Sequence, residues 1–374
     1  MMKLIAKTYE GLEPVLQKEL EELGAENIIP CKRAVTYDGD LEMLYRSNLY
    51  LRTAIKILVH LEHFEAKNED QLYNKAKDFD WFSHLNLTQT FAIETSVNSE
   101  IFRHSKYVAY KVKDAIADKF TDKKGRRPNV NTYSPDVKFN IKIFNDQVEI
   151  SLDSSGDSLH MRGYKVEGLT APLSEVLAAG ILLNSNFQEF PDFLDPMCGS
   201  GTLLTEALMI NTGTAPNLFR ERFGFMKWRD FEFSLWQRLK NEAKEKIIQP
   251  SILFKGMDID RKAVFASKKN LSLLPYGEKV NIENGDFFKY NKCSEHKFLL
   301  FNPPYDIRIE TDEIITFYSE IGNKLKREFV PSTAWIFSAN LEALKNVGLK
   351  HSAKIKLMNG KLPAELRKYE LYQS

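Results

Sequence analysis

Asp195-Pro196-Met197-Cys198-Gly199-Ser200-Gly201-Thr202 stands near the middle of a chain of 374 residues, followed by the helix-forming run Leu203-Leu204-Thr205-Glu206-Ala207-Leu208-Met209. An acid at a strand end, a glycine turn and a helix make a loop that lets the backbone approach a ligand closely and offers it unpaired N–H groups. Two commoner loops are excluded by spacing. The dinucleotide fingerprint needs a third glycine for close helix–strand packing, but Thr202, Leu203 and Leu204 follow Gly201 here. A phosphate-cradling P-loop needs Gly-Lys-Ser/Thr, and none follows. Asp195 would repel a phosphate. It suits the cationic amino-acid end of S-adenosylmethionine.

Two acids downstream fall where a bound nucleoside would want them. Ser251 to Asp260 reads as a buried strand ending in Asp258, Ile259 and Asp260, with helical residues after it. A carboxylate there can take both ribose hydroxyls. The strand beginning at Val280 leads to Asp286, placed to accept from an adenine amino group, with Phe287 beside it for the ring. The alternative for Asp260 and Asp286 is that they are helix caps or turn residues. Next, the apolar run Phe298-Leu299-Leu300-Phe301 opens into Asn302-Pro303-Pro304-Tyr305, a tight prolyl turn with an aromatic at its tip. Such a turn can present carbonyls and one aromatic face to a planar, amino-bearing group. Its alternative is a merely rigid β-turn. A cofactor loop and an amine-gripping turn at two strand ends of one sheet point to methyl transfer onto a nucleobase nitrogen.

Length allows two or three domains with proper cores. Net charge is +1, so no global nucleic-acid signature is present. Locally, residues 103–142 carry eleven basic against four acidic side chains, and the stretch from Leu344 to the end carries seven against two. Such clusters are electrostatic footprints for phosphate, or else solvated faces. Arg103, Lys106 and the knuckle Lys123-Lys124-Gly125-Arg126-Arg127 are the candidate RNA contacts. Three scattered cysteines, Cys31, Cys198 and Cys293, argue against a disulfide framework or a structural zinc site. His60 and His63 read as ordinary strand residues, and no metal is expected. Without a leader or a membrane-length apolar run, a soluble cytoplasmic protein is expected.

Two regimes divide the chain. From Lys3 to about Gly168, short strands alternate with helices: strand 3–7, helices 12–23 and 40–54, strand 56–61, helix 70–79, strand 91–97 and helix 106–120. A hairpin around Asn145-Asp146 closes the region. From about Ala171, strand–helix alternation implies a doubly wound parallel sheet. The aromatic-rich stretch between Met209 and Ser251 is too long for a plain crossover. It reads as lining the substrate entrance or packing onto the sheet edge, with helix from Trp236 to Ile247.

His160-Met161-Arg162-Gly163-Tyr164, followed by Ala171-Pro172-Leu173-Ser174-Glu175, the Asp195–Thr202 loop and Asn302–Tyr305, resembles the THUMP-domain RNA methyltransferases, and among them the bacterial 23S ribosomal RNA guanine-N2 methyltransferases. The resemblance covers essentially the whole chain. It implies an α/β architecture: a ferredoxin-like region over 1–60, a THUMP RNA-binding domain over 44–156, and a class I methyltransferase domain over 165–374. It also implies S-adenosylmethionine as cofactor, 23S ribosomal RNA or a ribosomal precursor as partner, and one methylation activity. Asp195, Pro196, Met197, Cys198, Gly199, Gly201, Thr202, Asp258, Ile259, Asp286 and Phe287 would hold the cofactor together with Asn302. Asn302, Pro303, Pro304 and Tyr305 would grip a flipped guanine, and Arg308 would touch phosphate or base. Asp306 and Ile307 stand where family members often carry glycine and then glutamate. Three alternatives stay open: an adenine-N6 methyltransferase on RNA or DNA, a transfer-RNA guanine-N2 methyltransferase, and a catalytically silent RNA-binding assembly factor.

Overall fold

The computed structural model describes residues 1–164, 173–291, 295–304 and 311–372. Tyr305, Asp306, Ile307, Arg308, Cys293, Ala171 and Pro172 lie outside the described residues.

The N-terminal half is built on one eight-stranded sheet. Its elements are β1 (Met2–Lys7), α1 (Glu13–Leu23), β2 (Glu26–Cys31), β3 (Ala34–Gly39), α2 (Leu41–Tyr50), β4 (Lys56–Glu65), α3 (Glu69–Asp78), β5 (Thr90–Asn98), α4 (Ser105–Lys124), β6 (Asn129–Val130), β7 (Val137–Phe144) and β8 (Gln147–Asp153), in sheet order β2-β3-β1-β4-β8-β7-β5-β6. β4 is shared by both N-terminal modules. Its start pairs with β1 (Lys7↔Lys56, Leu4↔Val59) and its length with β8 (Leu58↔Asp153 to Glu65↔Gln147). Alternation explains how: Ile57 and Val59 face the core, while Lys56 and His60 point the other way.

The second half comprises α5 (Glu175–Ser185), β9 (Asp192–Asp195), α6 (Thr202–Asn211), α7 (Phe233–Glu245), β10 (Leu253–Asp258), α8 (Arg261–Leu271), β11 (Val280–Asn284), β12 (Phe298–Phe301), α9 (Thr311–Glu328), β13 (Ser332–Ser338), α10 (Leu341–Lys345), β14 (Ala353–Asn359) and β15 (Leu362–Leu371). The sheet order is β11-β10-β9-β12-β13-β15-β14, with β15 antiparallel to both its neighbours. That order and the single reversed strand are those of the class I methyltransferase sheet. β9 and β12 are fully buried, as central parallel strands covered on both faces must be.

The large rings of the stretch between α6 and β10 pack into the N-terminal half and not onto the edge of the second sheet. Phe223, Phe225 and Trp236 are buried in the core of the N-terminal unit. Tyr45 on α2 stacks on Phe225 (centroids 4.5 Å apart) and meets Trp236 edge-on at 5.9 Å. Burial of large rings outweighs whatever the interspersed charges cost, and those charges pair across the seam, Arg46 with Glu242 and Arg238 with Glu42. The insert therefore fastens the two halves together.

The Arg162-Gly163-Tyr164 junction does the same at greater depth. Arg162, 1 % exposed, donates from Nε to Glu206 Oε1 on α6 (3.3 Å) and from Nη2 to the Arg52 carbonyl (2.6 Å). Tyr164 Oη donates to the same Glu206 oxygen at 3.1 Å. Gly163 has φ +94°, and a Cβ there would lie 2.6 Å from the Phe219 carbonyl oxygen, so only glycine fits.

Candidate functional site

β9 ends at Asp195, and the chain turns through Gly199 (φ +55°) and Gly201 (φ +81°) into α6. At Gly201 a Cβ would come within 2.3 Å of Ser267 Oγ on α8; at Gly199 it would meet nothing, leaving the turn's outer surface open. The neighbouring strand end holds this loop. Cys198 N–H donates to the Met257 carbonyl and Gly199 N–H to Asp258 Oδ2, both at 2.9 Å. Asp258 Oδ1 accepts from Asp260 N–H at 2.9 Å. Each Asp258 oxygen thus has one partner and one lone pair left for a ligand.

The loop, these strand ends and the prolyl turn enclose a cavity of about 530 Å³. Asp195, Pro196, Met197, Cys198, Gly199, Thr202, Asp258, Ile259, Asp286, Phe287, Asn302 and Pro304 all border it. Asp195 is buried. Loss of solvent, and after it the nearby Asp258 carboxylate, push its carboxyl up to about 8 against the stabilising Met197 N–H. Burial likewise pushes the Cys198 thiol well above its ordinary range, so it is an inert wall residue. Asn302 Oδ1 is buried without a hydrogen-bond partner among the described residues. An orphaned acceptor costs about 1–3 kcal/mol, so a residue kept in that state marks a place where a donor is expected.

Four expectations need correction. Gly201 does not border the cavity; it faces Ser267 on α8, where only its missing Cβ allows the approach, and Ser200 borders the cavity instead. Phe287 borders the cavity, but its ring packs on Phe301 (5.2 Å) and Phe329 (5.7 Å) in the core beneath. Phe288, edge-on to Phe317 at 5.5 Å, is the aromatic neighbour on that wall. Asp286 lies two residues past β11 and not on the strand; its Oδ1 accepts from Phe288 N–H at 2.9 Å, the turn-residue alternative, while the residue still borders the cavity. Pro303 is buried and does not border the cavity, whereas Pro304 is exposed and does. Leu173, Gly285, Phe288 and Phe317 are wall residues that motif reading missed. No sequence signal marks Leu173 or Phe317; Phe288 was visible as the second of two adjacent phenylalanines.

The basic candidates are exposed but not together. Arg103 and Lys106 sit at the start of α4 and Lys123 and Lys124 in its last turn, with Arg126 and Arg127 past the left-handed Gly125 cap. A 20-residue helix separates the two groups by roughly 30 Å. The acids between them are already engaged, Asp114 by Lys113 and Asp122 by Lys77. In the C-terminal basic run, Lys345, Lys354, Arg367 and Lys368 pair with acids (Glu342, Glu365, Glu365 and Glu370). Among the described residues no helix is long and apolar enough to cross a membrane, and no cluster of side chains suits a metal ion.

Fold and cavity together define a class I methyltransferase joined to an N-terminal RNA-binding-type module. Residues 162–368 match the family described as RMKL-like, methyltransferase domain; residues 66–153 match the THUMP domain and 3–58 the RlmL ferredoxin-like domain. The chain belongs to the RMKL-like methyltransferase family. A Synechocystis sp. protein, slr0064, named provisionally as an RNA methyltransferase, is 37 % identical over 98 % of this chain and 96 % of its own. The ribosomal RNA large subunit methyltransferase K/L of Syntrophotalea carbinolica is 34 % identical over 99 % of this chain and 54 % of its own, so the chain spans about half the length of that relative. Among solved structures, SMU.472 in complex with S-adenosylhomocysteine is similar at TM-score 0.88 and 28 % identity, covering 100 % of this chain and 99 % of its own. A possible methylase from Clostridium difficile 630 is similar at TM-score 0.88 and 29 % identity, with the same coverage.

Proposed function

We propose that this chain methylates the exocyclic N2 of a guanine in 23S ribosomal RNA, using S-adenosylmethionine, in the cytoplasm. The observation that carries the reading is Asn302 Oδ1, an acceptor buried without a partner among the described residues and set beside the cofactor cavity. Support for the substrate comes from the THUMP match and from the K/L relatives, whose names state large-subunit ribosomal RNA.

The cavity suits the cofactor on its own terms. A carboxyl held up near 8 by burial and a second carboxylate is a site short of a cation. Asp195 would therefore hold the amino-acid end, with the open backbone of Gly199 beside it, Asp258 the ribose and Asp286 the adenine, while Ile259, 73 % exposed at the cavity edge, covers the base. Bound S-adenosylmethionine supplies a methyl group already activated on a sulfonium.

The chain's own work is positioning. Asn302 Oδ1 accepts an amino hydrogen of the guanine and aims its nitrogen lone pair. Pro304 walls the pocket, and Tyr305 is assigned the stacking face. Flipping the base out costs roughly a few kcal/mol, and one aromatic stack returns about 1–3 kcal/mol. With an activated donor, orientation supplies most of the rate and no strong base is required.

The test is methyl transfer by the purified full chain from tritiated cofactor to unmodified 23S transcript, followed by nucleoside separation. Label in N2-methylguanosine supports the reading. Label in N6-methyladenosine overturns the base assignment. Absence of label in any RNA, with S-adenosylhomocysteine still bound, would instead leave a silent assembly factor.

A further inference from the structure

Beside the cofactor cavity lies a second one of about 760 Å³, and Leu173 borders both. It runs along the seam between the two halves, walled by Tyr9, Met161, Phe219 and Arg222 among others. A third cavity of about 290 Å³ shares Asp157 and Arg222 with the second and reaches the THUMP strands, where Tyr133 stands at its edge. The three follow one another along the seam from Asn302 to Tyr133, each sharing a wall residue with the next, and the functions derived above leave the outer two unused.

That outer part is firmly built. Buried Arg220 donates to the carbonyls of Ser155, Asp157, Ser158, Met161 and Arg222, at 2.8 to 3.2 Å. Phe225 N–H donates to the Ser154 carbonyl at 2.9 Å, and a Cβ on Gly224 would lie 2.6 Å from the Asp153 carbonyl oxygen, so two backbone segments meet directly at the base of the cleft. Several of the cations along it are already paired. Lys227 pairs with Asp136 at 2.8 Å, Lys138 Nζ donates to the Gly156 carbonyl at 2.9 Å, and Arg162 is held by Glu206. The Arg222 guanidinium, in contrast, makes no hydrogen bond or ion pair among the described residues, and it borders both outer cavities. Tyr133 is 96 % exposed, held in an Asx turn in which Asn131 Oδ1 accepts from the N–H groups of Tyr133 and Ser134. With the carboxylates of Asp157 and Glu221 also bordering these cavities, a presented ring and a single guanidinium free of partners among the described residues suit recognition by stacking more than by phosphate counting.

We propose that this cleft seats the single-stranded RNA flanking the target base, with a neighbouring base stacked on Tyr133 and one backbone phosphate at Arg222. The inference rests on the RNA reading above. A base that leaves its stack frees its neighbours, and unpaired bases are recognised by stacking on aromatic side chains. A row of cavities that leads up to the wall of the methyl-transfer cavity gives a strand a path and a direction.

The experiment compares full-length wild type with Tyr133→Ala, Tyr133→Phe and Arg222→Ala on unmodified 23S transcript. It measures KM for methyl transfer, filter-binding affinity over a salt series, and S-adenosylhomocysteine affinity. Tyr133→Ala is expected to raise KM and weaken RNA binding by about 5- to 100-fold, as for loss of one base–aromatic stack. The salt slope and cofactor affinity should stay as in wild type, and Tyr133→Phe should behave as wild type. Arg222→Ala should reduce the salt slope by about 0.7, one single-strand phosphate. The cleft is ruled out by a Tyr133→Ala protein within twofold of wild type in both KM and affinity, or by a Tyr133→Phe protein as weak as the alanine variant. If wild type itself transfers no methyl group, the catalytic reading fails, and the binding arm still decides the cleft.

Discussion

Binding of the cofactor's amino-acid end should expel one proton, because Asp195 must ionise to receive it. Burial above all, then the Asp258 carboxylate, push Asp195 up to about 8, so near neutrality the free chain holds it mostly protonated. Linkage sets the size: roughly a tenth is ionised at pH 7 and three-quarters at pH 8.5, so affinity for S-adenosylhomocysteine should rise about eightfold across that interval. Titration calorimetry from pH 6.5 to 8.5, in two buffers of different ionisation enthalpy, reads both the affinity and the released proton. Asp195→Asn should bind more weakly at pH 8.5 and show no slope. The same shift carries a stability sign. A folded-state value raised above the unfolded one means the native chain holds the extra proton, so the free chain loses stability as pH climbs from about 4 to about 8. Asp195→Asn should consequently melt above wild type at pH 8. A flat affinity profile in wild type, or a slope that persists in the asparagine variant, refutes the reasoning.

Asn302→Ala removes an acceptor that has no partner among the described residues, so melting temperature should hold or rise slightly while methyl transfer falls about 10²- to 10³-fold, the scale of losing one preorganised polar contact; a parallel loss of stability would show that the side chain is structural. Arg162→Met takes the ion-pair partner from buried Glu206, leaving it the Tyr164 hydroxyl and the Arg52 charge, and should cost about 3–5 kcal/mol in urea unfolding. The double variant Arg162→Met, Glu206→Leu should recover part of that loss, and its failure to do so would contradict the pairing. Lys124→Glu with Arg126→Glu should weaken RNA binding and flatten its salt dependence, and an unchanged slope would remove that patch from the RNA footprint.

Much of the second half was legible because strand-end motifs carry both fold and chemistry. Asp195, Gly199, Asp258 and Asn302 lie around one cavity, as their order in the chain suggested. The misses have separate causes. β2 is an exposed edge strand interrupted by Pro30, with no apolar alternation to betray it. α9 carries Ile314, Tyr318, Ile321 and Leu325 at helical spacing, so periodicity alone marks this helix although none is expected there above. The aromatic insert could not be placed from sequence at all. Its partner is Tyr45, far away in the chain, and composition cannot tell one core from another. Phe287 and Phe288 show the same limit at smaller scale, since which of two adjacent rings faces a core depends on a turn only one residue long.

The most direct test is a mass-spectrometric nucleoside digest of ribosomal and transfer RNA from a strain lacking this gene, rescued with wild type or with Asn302→Ala. The account predicts that N2-methylguanosine disappears from a single position in 23S ribosomal RNA and returns only with wild type. Unchanged N2-methylguanosine, or its return with Asn302→Ala, would contradict it.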